Sequence, residues 1–451
     1  MLGSILYFLF YVLCLLITLA SWEFLFEPER FNNLMHFLEE QQRIIEEQKH
    51  RLDELIIETE SETEEETGET EAAGTEAAET ETGETEAAET EPVTEETTGD
   101  VPPGTKGGSR YNELSYEERR IYDSLTDKLK NGAVSAEVRL VGAPDKTEIK
   151  RAYRAIYFDH PEYFWLRSGY QYSITSGAAM SDLTFDPSTY SYWEYTTDQA
   201  GYMERLNSAA ESLANEARLQ GSTYDQVKYV HDYLCRNVKY DHEAAAENNS
   251  TVHLSKNWDY AHTAYGCLVN HLCVCDGYAK GFQLVLQKLG IPCFYTDGES
   301  ITSKGSGGHA WNFLNIDGDY YQMDVTWDDP DDSFFADFCK YDYFCTTYDK
   351  ISEDHIADND FWVPKSTSVA CDYFVHEGSS LDSYDIGNII QIANNHPGEG
   401  LALRFNTPEL FSQALYSLME AGDIAQVVGP GVITYYTGDN TVYVPEQVPR
   451  Q

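Results

Sequence analysis

Positive charge is what this sequence has least of. Its 451 residues hold 30 Lys and Arg against 77 Asp and Glu, giving a formal net charge of −47 and a pI of about 4.4. That balance argues against a nucleic-acid backbone or an anionic lipid surface as a partner. The deficit is concentrated. No Lys or Arg stands between Arg51 and Lys106, and the gap is filled mostly with Thr, Glu, Ala and Gly. "TGETEAA" occurs at 67–73 and again at 82–88. Residues 58–108 have too few apolar groups to offset the entropy of folding, and like charges extend them, so they read as a disordered stalk.

Other absences narrow the chemistry. The nine cysteines are too scattered for a disulfide scaffold. With Cys14 in an apolar run and one thiol kept for chemistry, the rest cannot all pair. "HLCVC", residues 271–275, lacks the C-x-x-C spacing and the second ligand pair of a zinc site. "DDPDD", residues 328–332, lacks the spaced ligands of a calcium loop. No residue is assigned to a metal or a cofactor.

What is present falls into a series of parts. Residues 2–22 are continuously apolar and long enough to cross a bilayer as a helix. A cleaved signal peptide ending near Thr18 and Ala20 is the alternative, but its basic leading region is missing, so 1–28 reads as an uncleaved anchor. Arg30 and Arg43 lean toward a cytoplasmic body, whereas the long spacer favours a body outside the cell. A body outside would be membrane-anchored, or secreted if the segment is cleaved. In 29–57, Leu34, Leu38, Gln41, Ile45, Gln48, Leu52 and Leu55 alternate in steps of four and three, the seam of a short, self-associating coiled coil. Beyond the stalk, 109–215 reads as mixed and mainly helical. It has a capping box at Ser115 and Glu118, a helix stopped before Pro161, and two more helices over 198–219 and 222–237. Residues 366–451 read as a small α/β module for packing or docking: strand, helix, strand, strand.

Chemistry gathers in 216–365. In "VCDGYAKGFQLVLQKLG", residues 274–290, Ala279, Phe282, Val285, Leu286 and Leu289 form an apolar stripe at helical spacing, and Gly290 and Pro292 end the helix. Cys275 then sits at its N-terminal end, where free N–H groups and the helix dipole favour a thiolate, and Gly277 allows close backbone approach. A cysteine packed as a small hydrophobe would fit the same place. A second segment, "GHAWNFLNIDGDYYQMDVTWDDP" at 308–330, reads as a hairpin around an Asp317-Gly318 turn of type I′. Ile316 then pairs with Asp319, Trp311 faces Asp324, and His309 faces Thr326. His309 and Asp324 become diagonal neighbours on one face, and a one-residue slip would separate them. A carboxylate so placed holds an imidazole in the tautomer that activates a thiol.

These two segments, with "VKYVHDYLCRNVKYD" before them, resemble the transglutaminase-like superfamily as seen in bacteria. The motifs are Cys-x-Gly-Tyr-Ala, His-Ala-Trp-Asn and Asp-x-Thr-Trp-Asp, in that order, within about residues 216–365. Cys273 stands where a glycine is frequent in the family. The resemblance implies an α+β fold with a papain-like core, in which a helix bearing the cysteine packs on an antiparallel sheet bearing the histidine and aspartate. Here that core would carry a helical N-terminal extension and the small C-terminal module. It also implies Cys275 as nucleophile, His309 as base and then acid, and Asp324 as the residue that orients it. The reaction would be acyl transfer from protein or peptide amides through a thioester, resolved by water or by an amine. Cell-wall or surface proteins would be within reach of a tethered body. A surface binding module without catalysis is the other reading; a missing triad member would mark it, and all three are present.

Overall fold

The computed structural model describes residues 108–445, apart from 178, 191, 194–195, 247–256, 304, 331–337, 397–399 and 431–432. The expected anchor, coiled coil and all but the end of the stalk lie outside the described residues. Among the described residues, no helix is long and apolar enough to cross a membrane.

The helices begin where the local chemistry says they should. In α1 (Tyr116–Leu129) the Ser115 side chain accepts the Glu118 N–H, and the Glu118 carboxylate accepts the Ser115 N–H. Asp145 and Glu148 do the same for α2 (Lys146–Asp159), and Ser222 and Asp225 for α4 (Thr223–Asn237), which follows α3 (Gln199–Ala217). The region 109–215 is less helical than its sequence predicts. Strands β1 (Ala136–Val141), β2 (Leu166–Ser176) and β3 (Met180–Thr189) form an antiparallel sheet in the order β1-β3-β2. Phe185 of β3 stands opposite Ala136 on one side and Tyr172 on the other. Strand β2 is exposed or half-buried along nearly all its length, so it carries little of the apolar alternation that announces a strand.

The helix that begins at Cys275, α5 (Cys275–Leu289), is central. It packs against β4 (Cys293–Thr302) and β5 (Gly305–Ile316) as well as against α3 and α4. The sequence predicts one buried stripe; the helix is instead buried at every position from Gly277 to Leu286. Its buried polar side chains donate into the surrounding core, while Gln283 Oε1 is left without a partner. Lys280 donates to the Tyr157 hydroxyl and the His262 carbonyl, and Gln283 to the carbonyls of Phe158 and Cys293. Gly277 is obligatory in this packing, because a Cβ there would lie 2.4 Å from the Cys273 Cβ and 2.7 Å from the Ala261 oxygen. With β6 (Asp319–Met323) and β7 (His355–Ala357), strands β4 and β5 form an antiparallel sheet in the order β6-β5-β4-β7.

One hydrophobic cluster runs from Leu114 to Phe374 and takes in Tyr443, so the N-terminal helices share their core with α5. A second cluster spans Leu381 to Val444. It belongs to β8 (Ser380–Leu381), α6 (Ile386–Asn395), β9 (Leu401–Phe405), α7 (Pro408–Leu415), β10 (Tyr436–Thr437) and β11 (Thr441–Val444), with strand order β8-β9-β11-β10. Strand β11 serves both clusters. Val442 and Val444 face the small core, while the Tyr443 hydroxyl accepts the Tyr341 N–H at 3.0 Å and Thr441 Oγ1 donates to Asp342 at 2.9 Å.

Candidate active site

Cys275 is the first residue of α5, preceded by extended Val274, and no side chain caps this end of the helix. It opens into a cleft of about 340 Å³ whose walls include Tyr157, Tyr190, Tyr295 and His309. Beside it, Asp276 accepts the Tyr295 hydroxyl at 2.7 Å and His262 Nδ1 at 2.9 Å. Burial acts to raise the Asp276 pKa, but Lys280, His262 and Tyr295 together hold it well below the usual carboxylate range.

The hairpin turns at Asp317 and Gly318, both with positive φ (54° and 109°), and Ile316 pairs with Asp319. The register continues to Asn312 opposite Met323. There the sequence expectation fails: the register ends at that pair, so neither Trp311 with Asp324 nor His309 with Thr326 forms a strand pair. Asp324 Oδ1 accepts the N–H groups of Thr326 (2.9 Å) and Trp327 (3.3 Å), which turns the chain out of the sheet into a short helix, Val325–Asp328. The parity argument survives this, because Asp324 sits at the first position past the strand. Its Oδ2 accepts the His309 Nε2 hydrogen at 2.7 Å, with both side chains buried. That contact leaves Nδ1 of His309 for the thiol side. Burial disfavours the His309 imidazolium, but Asp324, with a smaller contribution from Cys275, outweighs it and raises the pKa to about 10. The same interaction holds Asp324 well below the usual carboxylate range against its own burial.

Residues 211–325 match the transglutaminase-like superfamily. This stretch is a transglutaminase-like domain. Kyphoscoliosis peptidase of Mus musculus is 26% identical over 199 residues, covering 41% of this chain and 28% of that protein. The Homo sapiens protein of the same name is 24% identical, with the same coverage. The chain therefore spans 28% of the length of these curated relatives. A crystal structure of a TGase shares 16% identity, covering 43% of this chain and 51% of that one, with a TM-score of 0.25.

The matched part of the transglutaminase-like domain contains Cys275, His309 and Asp324 but stops before His355, which the sequence reading missed. His355 opens β7 opposite Ser300. Its Nε2 lies 3.1 Å from the Asp324 Oδ2 that His309 also uses, and its Nδ1 lies 2.6 Å from Asp354. The ring centroids of the two histidines are 5.1 Å apart. No turn or spacing ties His355 to the hairpin. The one signal is Gly298, opposite both His309 and Ala357, where a Cβ would lie 2.0 Å from the Ile356 carbonyl. Strand β7 can reach the sheet only over that glycine.

The donor atoms of His309, Asp324 and His355 lie within 4.8 Å of one another, a set that could hold a cation. Both imidazole nitrogens, however, approach a single oxygen at 2.7 and 3.1 Å, which are lengths with a proton between. The cluster is a hydrogen-bonded array, and it requires no metal.

All eight cysteines among the described residues are free, and only Cys275 and Cys371 are partly exposed. Burial pushes the Cys273 thiol well above its ordinary value, with Cys267 and Cys275 adding to the effect. Burial does the same to Cys293.

Proposed function

We propose that this chain is a thiol enzyme that transfers the acyl group of protein or peptide amides through a Cys275–His309–Asp324 triad. One observation carries the reading: a cysteine at an uncapped helix start shares its cleft with an imidazole whose far nitrogen is tied to a buried carboxylate. The sulfur of Cys275 attacks the amide carbonyl, its proton being held by His309. The backbone N–H of Cys275 is the first candidate to receive the tetrahedral oxyanion. His309 protonates the departing amine and Asp324 steadies the imidazolium. Water or a second amine then resolves the thioester. The printed name of the curated relatives, a peptidase, corresponds to the first of these endings.

The test is mass spectrometry of a glutamine-containing protein incubated with the full chain, with and without a primary amine. Chain cleavage or deamidation marks hydrolysis, and amine incorporation with loss of ammonia marks transfer. Cys275→Ala abolishes every product; any product that survives the substitution overturns the triad.

From the order of parts in the sequence we propose that the body lies outside the cell, tethered by residues 2–22 and spaced from the membrane by 58–108. A spacer is useful where the substrate lies beyond the membrane surface. Protease shaving of intact cells should then release the body without lysis, and a body protected until lysis overturns the placement. The seam at 34–55 should raise the solution mass of a chain starting at residue 29 over one starting at residue 109; equal masses refute it.

A further inference from the structure

His355 has no part in the steps just described, yet it is 3% exposed and has a carboxylate oxygen within hydrogen-bond distance of each ring nitrogen. On one side Nε2 meets Asp324 Oδ2 at 3.1 Å; on the other Nδ1 meets Asp354 Oδ1 at 2.6 Å. Asp354 is itself fixed, since its second oxygen accepts the Tyr343 hydroxyl. An ionised carboxylate can only accept, and a neutral imidazole donates from one nitrogen alone. Both contacts are satisfied together only when both nitrogens carry hydrogen.

We infer that His355 is a positioning residue, a fixed imidazolium that shares Asp324 with His309 and limits the pull of that carboxylate on the reacting imidazole. The role rests on the triad reading above. The Asp324 carboxylate is fully subscribed. Oδ1 takes the N–H groups of Thr326 and Trp327, and Oδ2 takes the two histidines, so it cannot turn away from His309. The titratable groups facing His355 come from several neighbouring elements. They are Asp324 at the end of β6, His309 on β5, Asp354 on the turn before β7, and Tyr343, whose ring centroid lies 5.5 Å away. Trp311 and Trp327 close the remaining sides, at 4.9 and 4.5 Å between centroids. Burial opposes a charge on His355, but Asp324 and Asp354 outweigh both burial and the repulsion from His309.

Two cations on one carboxylate compete for it. With His355 charged, His309 receives only part of the attraction of Asp324 and can release its proton when the leaving amine needs it. Without that charge, Asp324 would hold the proton on His309 more firmly, which slows the steps in which His309 acts as acid and then as base.

The test uses the full chain with 15N-labelled histidine, reading the ring nitrogens by NMR; the chain has 12 histidines, and His→Gln variants assign them. In the wild type, His355 should carry hydrogen on both nitrogens at about pH 8, where an ordinary imidazole of pKa about 6.5 is mostly neutral. Asp354→Asn removes the second carboxylate and should leave His355 as a single neutral tautomer at that pH. His355→Gln keeps a donor toward Asp324 without the charge. In both variants the His309 midpoint should move up by about 1 pH unit, a tenfold tighter hold on its proton. A merely structural role for His355 would loosen Asp324 and move that midpoint down. The inference is overturned if His355 is neutral at pH 8 in the wild type, or if the His309 midpoint stays or falls in both variants. Mapping the cysteine first modified by iodoacetamide separates the two readings. If it is Cys275, only the His355 inference has failed. If it is another cysteine, the triad reading falls and takes this role with it.

Discussion

At the scale of single residues, the sharpest contrast is between two thiols two positions apart. Cys273 is fully buried with its pKa pushed well up, whereas Cys275 opens on the cleft and faces His309. Iodoacetamide should therefore modify Cys275 first, ahead of Cys371, the other partly exposed cysteine. Peptide mapping after brief labelling checks this, and prior modification of Cys273 or Cys371 would refute it. Cys275→Ala should leave the melting temperature within a few degrees, because the residue sits at a helix end on the rim of a cleft. The contact between His309 and Asp324 was legible in the sequence because it is local: a two-residue turn pins the register, and the register pins the parity of both side chains. What could not be read was where strand β6 would end, since that depends on Asp324 turning its own backbone with Oδ1.

Elements are legible when their signal is local, and lost when their partner is distant. The capping box at Ser115 lies within four residues and appears as expected. The all-round burial of α5 does not follow from its own residues, because it requires knowing that helices and a sheet close on it from different sides. Strand β7 is three residues long, and it reaches the sheet over a glycine more than fifty positions earlier, so nothing near His355 announces it. Gly298→Ala tests this approach. The added methyl group would meet the Ile356 carbonyl at 2.0 Å, so β7 must shift. The expected cost is about 1–3 kcal/mol, comparable to overpacking a core, and denaturant unfolding measures it. The variant should also label Cys275 with altered kinetics, because His355 moves with the strand. Unchanged stability would mean that β7 holds to the sheet loosely.

Across the whole molecule, stability depends on a second buried histidine outside the cleft. His231 on α4 meets Asp232 at 3.0 Å and Asp328 at 3.2 Å, and Asp328 Oδ1 also accepts the Tyr343 N–H. Burial penalises the His231 imidazolium, but the two carboxylates outweigh it and raise its pKa from 6.5 to about 9. A group raised in this way stabilises the fold fully below its unfolded value, and that stabilisation is lost as pH climbs through the folded value. The melting temperature should fall between pH 6.5 and about 9, and His231→Gln should flatten the fall; parallel wild-type and variant profiles would refute the assignment. Residues 338–344 join this network to the module at the end of the chain, through Tyr443 and Thr441. That junction sets an order in time. Synthesis runs from the N-terminus, so Tyr341 emerges 102 residues before the hydroxyl that receives its N–H. For the whole of that interval the nascent chain carries Cys275 and its histidines while Tyr341 and Asp342 await the contacts that Tyr443 and Thr441 supply. A chain stopped at residue 435 should melt at a lower temperature and modify Cys275 at a different rate from the full chain. On this account the segment from Lys340 to Phe344 receives its final fastening only once residues 441–444 have been made, long after Cys275 has left the ribosome.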